Sequence, residues 1–480
     1  MIKDIGIVIN PDDKSVIIRQ YIPEGISNIF GIAERVMALD ESAAEKELKK
    51  IMHDFSARHR NFKIILNRWF DAIRECLPSD LEFSETRKLL IGACFAGEYT
   101  YKSTAVFNPS IVAHPDQSGI PKGSLRFIIS LRAMGEGHVS SLAFCSGVVD
   151  RQGSMSIDKA SGFTCIPELR LNAFYDKKCF ILKLCEIGLD DNRSKRMLGS
   201  LPDDFTMEQL NNQVNNYFDG QDMLDLNDIP DCEKILWLAR CNYESSFDPD
   251  VPISERVLFP ISPSESNGIE DTRFVYFRDD DGTGKYYATY TAYDGRTIMP
   301  QLIETEDFIR FKMITLNGKA VADKGMALFP RKINGRYAML SRNDNNNLSL
   351  MYSDNIHFWQ ESVKIMEPLY PWEFVKIGNC GSPIETERGW LFLTHGVGPM
   401  RQYSIGAALL DLKDPSRVIG RLSEPLIRWN ENSRSGYVPN VVYTCGAMVH
   451  NDTLIIPYGV SDLKTVIAQI SLRELLDKLS

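Results

Sequence analysis

Apolar side chains recur every three or four positions through the first hundred residues. One stripe runs through Leu48, Ile51, Met52 and Phe55, and a second through Phe62, Ile65, Leu66, Trp69, Phe70 and Ile73. A third joins Leu89, Leu90, Ala93, Cys94 and Ala96. That spacing puts the apolar residues on one face of a helix, so each stripe is a core-forming surface. Ser42 with Glu45 predicts a capping box at the start of the first helix. Ahead of it, Gly6–Asn10 and Ser15–Tyr21 read as a short hairpin. From about residue 105 the pattern changes to short apolar runs between turn residues, which predicts strands. Residues 1–100 are therefore read as a mostly helical extension and 101–480 as a β-rich domain. The polar helical pattern from Lys195 to Leu224 predicts an insertion near 190–230.

Five of the apolar runs share one plan, a strand that ends in polar or glycine residues. They begin at Arg126, Lys285, Gly335, Gly389 and Asp452, the last four being 50, 54 and 63 residues apart. A period near ~50 in a strand-rich region is the mark of a propeller with one four-stranded blade per repeat. The predicted fold is mainly β, a five-bladed β-propeller with an N-terminal α-helical extension. Equivalent strand ends would converge on one funnel carrying Arg132, Tyr293, Asp294, Ser341, Arg342, His395 and Tyr458.

The formal charge of −10 leaves no basic excess to neutralise phosphates, so neither a general nucleic-acid binder nor an anionic-membrane binder is expected. A neutral polyol is compatible with that balance. No run reaches the ~18 apolar residues of a membrane helix, and the opening decapeptide does not read as a secretory signal. Ten cysteines are scattered without a Cys-x-x-Cys pair. A reducing cytoplasm is expected, with no metal site and no cofactor.

The densest chemistry is Gly268-Ile-Glu-Asp-Thr-Arg273, ahead of the strand Phe274–Phe277. Strand alternation predicts that Glu270 and Asp271 point to opposite faces, so that one of them shares a cavity with Arg273. An acid beside hydroxyl-gripping neighbours suits a sugar site, and a surface hairpin with a salt bridge is the alternative. Gly135-Glu-Gly-His138 lacks the third glycine of a dinucleotide loop and reads as a loop over a sugar or a plain turn. Asp279-Asp-Asp-Gly282 has the wrong spacing for calcium and reads as a hairpin turn. Trp372, Tyr403 and Tyr437 are either a stacking platform for sugar rings or ordinary core and rim.

Eight stretches in order through residues 105–462 resemble glycoside hydrolase family 130, five-bladed propeller enzymes acting on β-mannosides. They are Phe107–Ser110, Ser130–His138, Gly268–Arg273, Lys324–Pro330, Ile333–Arg342, Gly381–Trp390, Thr394–Val397 and Tyr437–Gly446. The Glu-Asp-Pro-Arg core common in the family is here Glu-Asp-Thr-Arg, which loses a fixed φ but keeps the three functional side chains. The resemblance implies that Asp271 is the general acid, passing its proton through the sugar's own 3-hydroxyl. Glu270 and Arg273 would hold the mannose, with Asn108, Ser110 and Arg132 in the same pocket. Tyr293, Asp294, Lys324, Arg342, His395 and Asn440 complete the expected substrate-binding set. Catalysis in the family inverts the anomeric centre, so a nucleophile approaches opposite the acid.

The family contains hydrolases and phosphorylases. Phosphorolytic relatives typically carry lysine where this chain has Glu385. Unit charges ~4 Å apart at an effective dielectric of 20 interact by roughly 4 kcal/mol, so that exchange disfavours phosphate by several kcal/mol. Glu385, with Asp344 as second candidate, would then be the base that activates water. This reading gives an inverting exo-acting β-mannosidase on β-1,2-linked manno-oligosaccharides. The first alternative is a β-1,2-mannoside phosphorylase that uses inorganic phosphate as co-substrate and releases mannose 1-phosphate. The second is a non-catalytic carbohydrate-binding propeller. Self-association of the chain is left open.

Overall fold

The computed structural model describes residues 2–170, 174–189, 191–219 and 228–479, and the fold is mainly β. Most of the strands fall into five antiparallel sheets in chain order, the first two of which are joined edge to edge by a parallel Ser140–Gly268 bridge. The first contains Ala105–Ala113, Leu125–Met134, Ser140–Val149 and Met155–Ile157. The second contains Gly268–Arg278, Gly284–Tyr293, Ile298–Thr305 and Arg310–Thr315, with Tyr243–Ser246 and Glu168–Arg170 added at its outer edge. The third runs Ala327–Leu328, Tyr337–Ser341, Leu348–Ser353, Ser362–Met366. The fourth runs Lys376–Asn379, Gly389–Gly398, Gln402–Leu410, Val418–Arg421. The fifth joins Val442–Tyr443, Thr453–Val460 and Lys464–Ser471 to the chain's first strand, Lys3–Ile9.

Apolar clusters bind each sheet to the next. Phe144 meets Phe274 between the first and second sheets, and Val275 and Leu302 pack with Leu328 and Met339 between the second and third. Leu340 packs with Trp390 and Phe392, and Leu393 and Ile405 with Val442 and Ile456. Ile455 and Ile467 of the fifth sheet then pack with Phe127 and Ile129 of the first, which closes the cycle. Burying an apolar side chain fully is worth roughly 1.5–3 kcal/mol, so these interfaces hold the sheets in place.

Several expectations need correction. Lys3–Ile9 pairs with Lys464–Ser471, and Val16–Gln20 pairs with Ala96–Thr100, so the two opening strands do not form a hairpin with each other. A long-range partner outcompetes a local turn here because it buries Ile5, Ile7 and Ile9 against the closing cluster. The helix Glu41–Phe55 is capped by Asp40, whose carboxylate accepts from Ala43 N, two residues before the expected Ser42. The five repeated segments are the second strands of their sheets. The first strands, which border the site, carry weaker apolar patterns, and two of them are only two residues long.

The helices Ile26–Met37, Glu41–Phe55, Phe62–Ile73 and Glu85–Cys94 occupy the predicted stretch and share a core of Ile29, Val36, Phe70, Ile73, Leu90 and Phe95. A Cβ on Gly92 would lie 2.0 Å from Leu66 O, so glycine lets two of these helices touch. The expected insertion is longer than 190–230. It includes Lys177–Glu186, Asp191–Leu198, Met207–Asp219 and Asp228–Arg240 around its own core of Phe180, Leu184, Phe205, Ile235 and Leu238, while 220–227 lie outside the described residues. No helix among the described residues is long and apolar enough to cross a membrane.

Candidate active site

Two backbone irregularities shape the pocket. Ladder pairing slips between Glu270 and Arg273 in the second sheet, and Asp271 sits there at φ 52. The same slip occurs between Phe107 and Ser110 in the first sheet, where Asn108 has φ 46. A bulge breaks strand alternation. Glu270 and Asp271 therefore both face one cavity, which corrects the opposite-face expectation. Ser110 Oγ accepts from Phe274 N at 3.1 Å and ties the bulges together.

The cavity, about 270 Å³, is lined by Phe107, Asn108, Arg132, Glu270, Asp271 and Lys324 from the first two sheets and the entry to the third. Arg342, Lys376, His395, Arg401 and Tyr403 line it from the third and fourth sheets, and Val438, Val441, Tyr443 and Asp462 complete it. Arg132 lies over the Phe107 ring, reaches Glu270 at 2.5 Å and stands 3.7 Å from Asp271. Lys324 is 3.7 Å from the other Glu270 oxygen. Arg273 lies behind the wall, 2% exposed, bonded to Asp271 O and Tyr443 Oη at 2.8 Å each. Burial raises the Asp271 carboxyl, but Arg273, Lys324, Arg132 and Arg342 outweigh it and hold the group below the ordinary carboxylate range.

The far wall is cationic. Arg342 donates to His395 Nε2 at 3.0 Å, and His395 Nδ1 donates to Asn379 O at 3.3 Å. Burial, with Arg342, Arg273 and Lys376 nearby, drives the His395 pKa well below its usual value. The imidazole is neutral and aims Arg342 without competing for an anion. Burial and Arg342 also lower the Lys376 pKa. Asp462, which sequence reasoning missed, has its carboxyl pushed up to about 6 by burial, against the pull of Arg132.

Of the expected residues, Asn108, Arg132, Glu270, Asp271, Lys324, Arg342 and His395 line the pocket. Ser110 and Arg273 support it from behind. The remaining expectations are not met. Glu385 lines a different cavity with Pro330, Ser382 and Met448 and forms a two-pronged pair with Arg331 at 2.9 and 2.6 Å. Asp344 is exposed, and its Oδ1 accepts from the backbone N–H groups of Asn346 and Asn347 at the turn's own tip. Tyr293 bonds Gly295 O, Asp294 caps Arg296 and Thr297, and Asn440 spends its backbone on Tyr403 and Ser433; none of the three lines the pocket. Glu136 and His138 also stay outside the lining, and Asp279–Gly282 is the predicted hairpin turn. Lys376 and Arg401 carried no sequence signal, whereas Asp462 lies four residues beyond Tyr458, the polar end singled out on that strand.

The glycoside hydrolase family 130 model, described as β-1,4-mannooligosaccharide phosphorylase, matches residues 238–480. The chain is 32% identical over 252 residues to a 1,2-β-oligomannan phosphorylase of Thermoanaerobacter sp. (strain X514), covering 50% of this chain and 81% of that one. It is 37% identical over 239 residues to a β-1,2-mannobiose phosphorylase of the same organism, covering 48% of this chain and 73% of the other. Among solved structures it resembles the β-1,2-mannobiose phosphorylase of Listeria innocua with bound β-1,2-mannobiose, at 21% identity and a TM-score of 0.46, over 78% of this chain and 92% of that one. The chain belongs to glycoside hydrolase family 130, whose members act on β-mannosides.

Proposed function

We propose that this protein is a β-1,2-mannoside phosphorylase that releases mannose 1-phosphate. The observation that carries this reading is the separation of charge in the pocket. Carboxylates Glu270, Asp271 and Asp462 come from the second and fifth sheets, while Arg342, Lys376 and Arg401 stand together on the third and fourth, where His395 is committed to Arg342 and the Asp323 carboxylate, 3.7 Å from Arg342, stays outside the lining. Glu385, the residue that favoured a hydrolase, is turned away into its Arg331 pair. Each cation near a phosphate charge at ~4 Å contributes roughly 4 kcal/mol at an effective dielectric of 20, which favours phosphate over water on that wall. The phosphorylase names of the relatives support the same choice.

In this reading Glu270, Arg132 and Asn108 grip the mannosyl unit, and Arg342, Lys376 and Arg401 hold inorganic phosphate beneath its anomeric carbon. A phosphate oxygen forms the new bond to C1 as the glycosidic C1–O bond breaks. The departing oxygen takes a proton relayed from Asp271 through the sugar's 3-hydroxyl, so a β-mannoside gives the α-phosphate by inversion. The five sheets act as blades of a five-bladed propeller (residues 101–480), with residues 1–100 as an extension; the cycle of apolar interfaces supports that assignment. A cytoplasmic site of action belongs to the same proposal, since phosphate is plentiful there and a phosphosugar is retained.

Incubation with β-1,2-mannobiose tests the proposal. Mannose 1-phosphate should form only when phosphate is present, and free mannose released equally without phosphate would return the choice to a hydrolase. Glu385→Gln should leave turnover within about twofold, because the side chain touches no pocket residue. A loss of 100-fold or more on the scale of a removed general base would show that Glu385 acts in catalysis.

A further inference from the structure

Three residues that line the pocket are each preceded by a large exposed apolar side chain. Val375 (55% exposed) precedes Lys376, Met400 (85%) precedes Arg401, and Tyr437 (48%) precedes Val438, with Phe374 (63%) one place further out. The backbone holds these positions together. Val375 N donates to Val397 O at 2.9 Å, which sets Val375 beside Gly398 and the turn Pro399–Arg401. Met400 and Arg401 both adopt left-handed φ, 56 and 55, where a non-glycine residue costs energy, and Arg401 lines the pocket while Met400 faces solvent. Tyr403 N donates to Asn440 O at 3.0 Å and brings the Tyr437–Asn440 segment alongside. The His138 ring stands 5.4 Å from the Tyr437 ring, so the Gly135–His138 loop reaches the same rim.

We propose that this rim of Phe374, Val375, Met400 and Tyr437 binds the third and later sugar units of a chain and gives the enzyme a preference for manno-oligosaccharides longer than a disaccharide. The inference rests on the phosphorylase reading of the pocket. A cavity of about 270 Å³ lies at the small end of ligand sites, so it takes one pyranose and phosphate, the second unit fills the mouth, and later units must lie across the rim. Clustered exposed apolar side chains mark a contact surface, whereas scattered ones are ordinary. Sugar rings have C–H faces that pack on aromatic and aliphatic side chains, and their hydroxyls need donors and acceptors at the edge. Arg401, His138 and Asn345, the last 3.4 Å from Lys376 Nζ, supply them. Trp372 and Tyr403 are not part of this rim. Trp372 packs where a Cβ on Gly396 or Gly406 would stand 2.4 or 2.5 Å from its ring, and Tyr403 stacks on His395 inside the pocket.

The test compares wild type with Phe374→Ser, Met400→Ser, Tyr437→Ser and the triple variant, using β-1,2-mannobiose, -triose and -tetraose at saturating phosphate. These side chains are exposed, so the variants should fold. In wild type kcat/KM should rise with chain length. Each variant should reduce that rise by about 2- to 10-fold through KM, with mannobiose turnover little changed. An unchanged chain-length profile in the triple variant, or an equal loss on all three substrates, would overturn the inference. So would a wild-type dimer that dissociates in the variants with the profile intact, because a second copy would then be the occupant. Absence of phosphorolysis in wild type would count against the phosphorylase reading instead. Calorimetric binding of the same oligosaccharides to Asp271→Asn would then decide the rim alone, which fails if affinity does not increase with length or if the rim variants leave the increase unaltered.

Discussion

The Asp271 carboxyl is held below the ordinary carboxylate range because four guanidinium and ammonium groups outweigh its burial. The proposed role of general acid needs that proton, so something must lift the pKa during the proposed reaction. Phosphate beside Arg342 brings negative charge that offsets the pull of those cations on Asp271. Its binding should therefore take up a proton between the free and bound pKa values of Asp271, and affinity should fall as pH rises through that interval. Calorimetry in buffers of different ionisation enthalpy should detect the uptake and lose it in Asp271→Asn, which should also turn over about 100- to 10,000-fold more slowly. Asp462 titrates in the opposite sense to a salt-bridged acid. Its folded pKa of about 6 lies above the ordinary value of 3.8, so the stabilisation is complete below about 3.8 and is lost as pH rises through about 6. Melting curves should show Asp462→Asn gaining on wild type above pH about 6 relative to pH about 4. At this scale the sequence brought Asp271 and its arginines together but also placed Asp344 and Glu385 with them, which the structure does not. Both are consumed by neighbours, a turn backbone and Arg331, that no residue count reveals.

Strands and turns decide whether those side chains meet. The helical stripes were legible because a period near 3.6 needs only local information, and the five-fold repeat was legible because second strands are long and apolar. The bulges at Asn108 and Asp271 were not, since slipped pairing depends on the neighbouring strand. Gly378 is a further element-level requirement. A Cβ there would stand 2.5 Å from His395 Cε1 and 3.3 Å from Arg342 Cδ, so the first strand of the fourth sheet must be bare where these two residues cross it. Overpacking of this kind costs about 1–3 kcal/mol, and it displaces the group proposed to hold phosphate. Gly378→Ala should raise KM for phosphate by about 5- to 100-fold on that scale while the far-UV circular dichroism stays unchanged. Equal phosphate KM in the two proteins would remove the glycine from the account.

Across the whole molecule, sheets from every part of the chain contribute to one pocket, so its geometry depends on the cycle being closed. Closure is made by Lys3–Ile9 lying along Lys464–Ser471 and packing Ile5, Ile7 and Ile9 with Ile455 and Ile467. Nothing local in the first ten residues announces that partner, which is why the sequence suggested a hairpin. Removing residues 2–10 should leave an open sheet edge and a stripped apolar face. The truncated protein should melt well below wild type and associate at high concentration in sedimentation experiments, and an unshifted melting temperature would show that the strand is dispensable.

The strand Lys3–Ile9 thus waits for a partner far along the chain. About 450 residues separate the two, so during synthesis the ring stays unclosed and the pocket unfinished until Lys464–Ser471 has emerged.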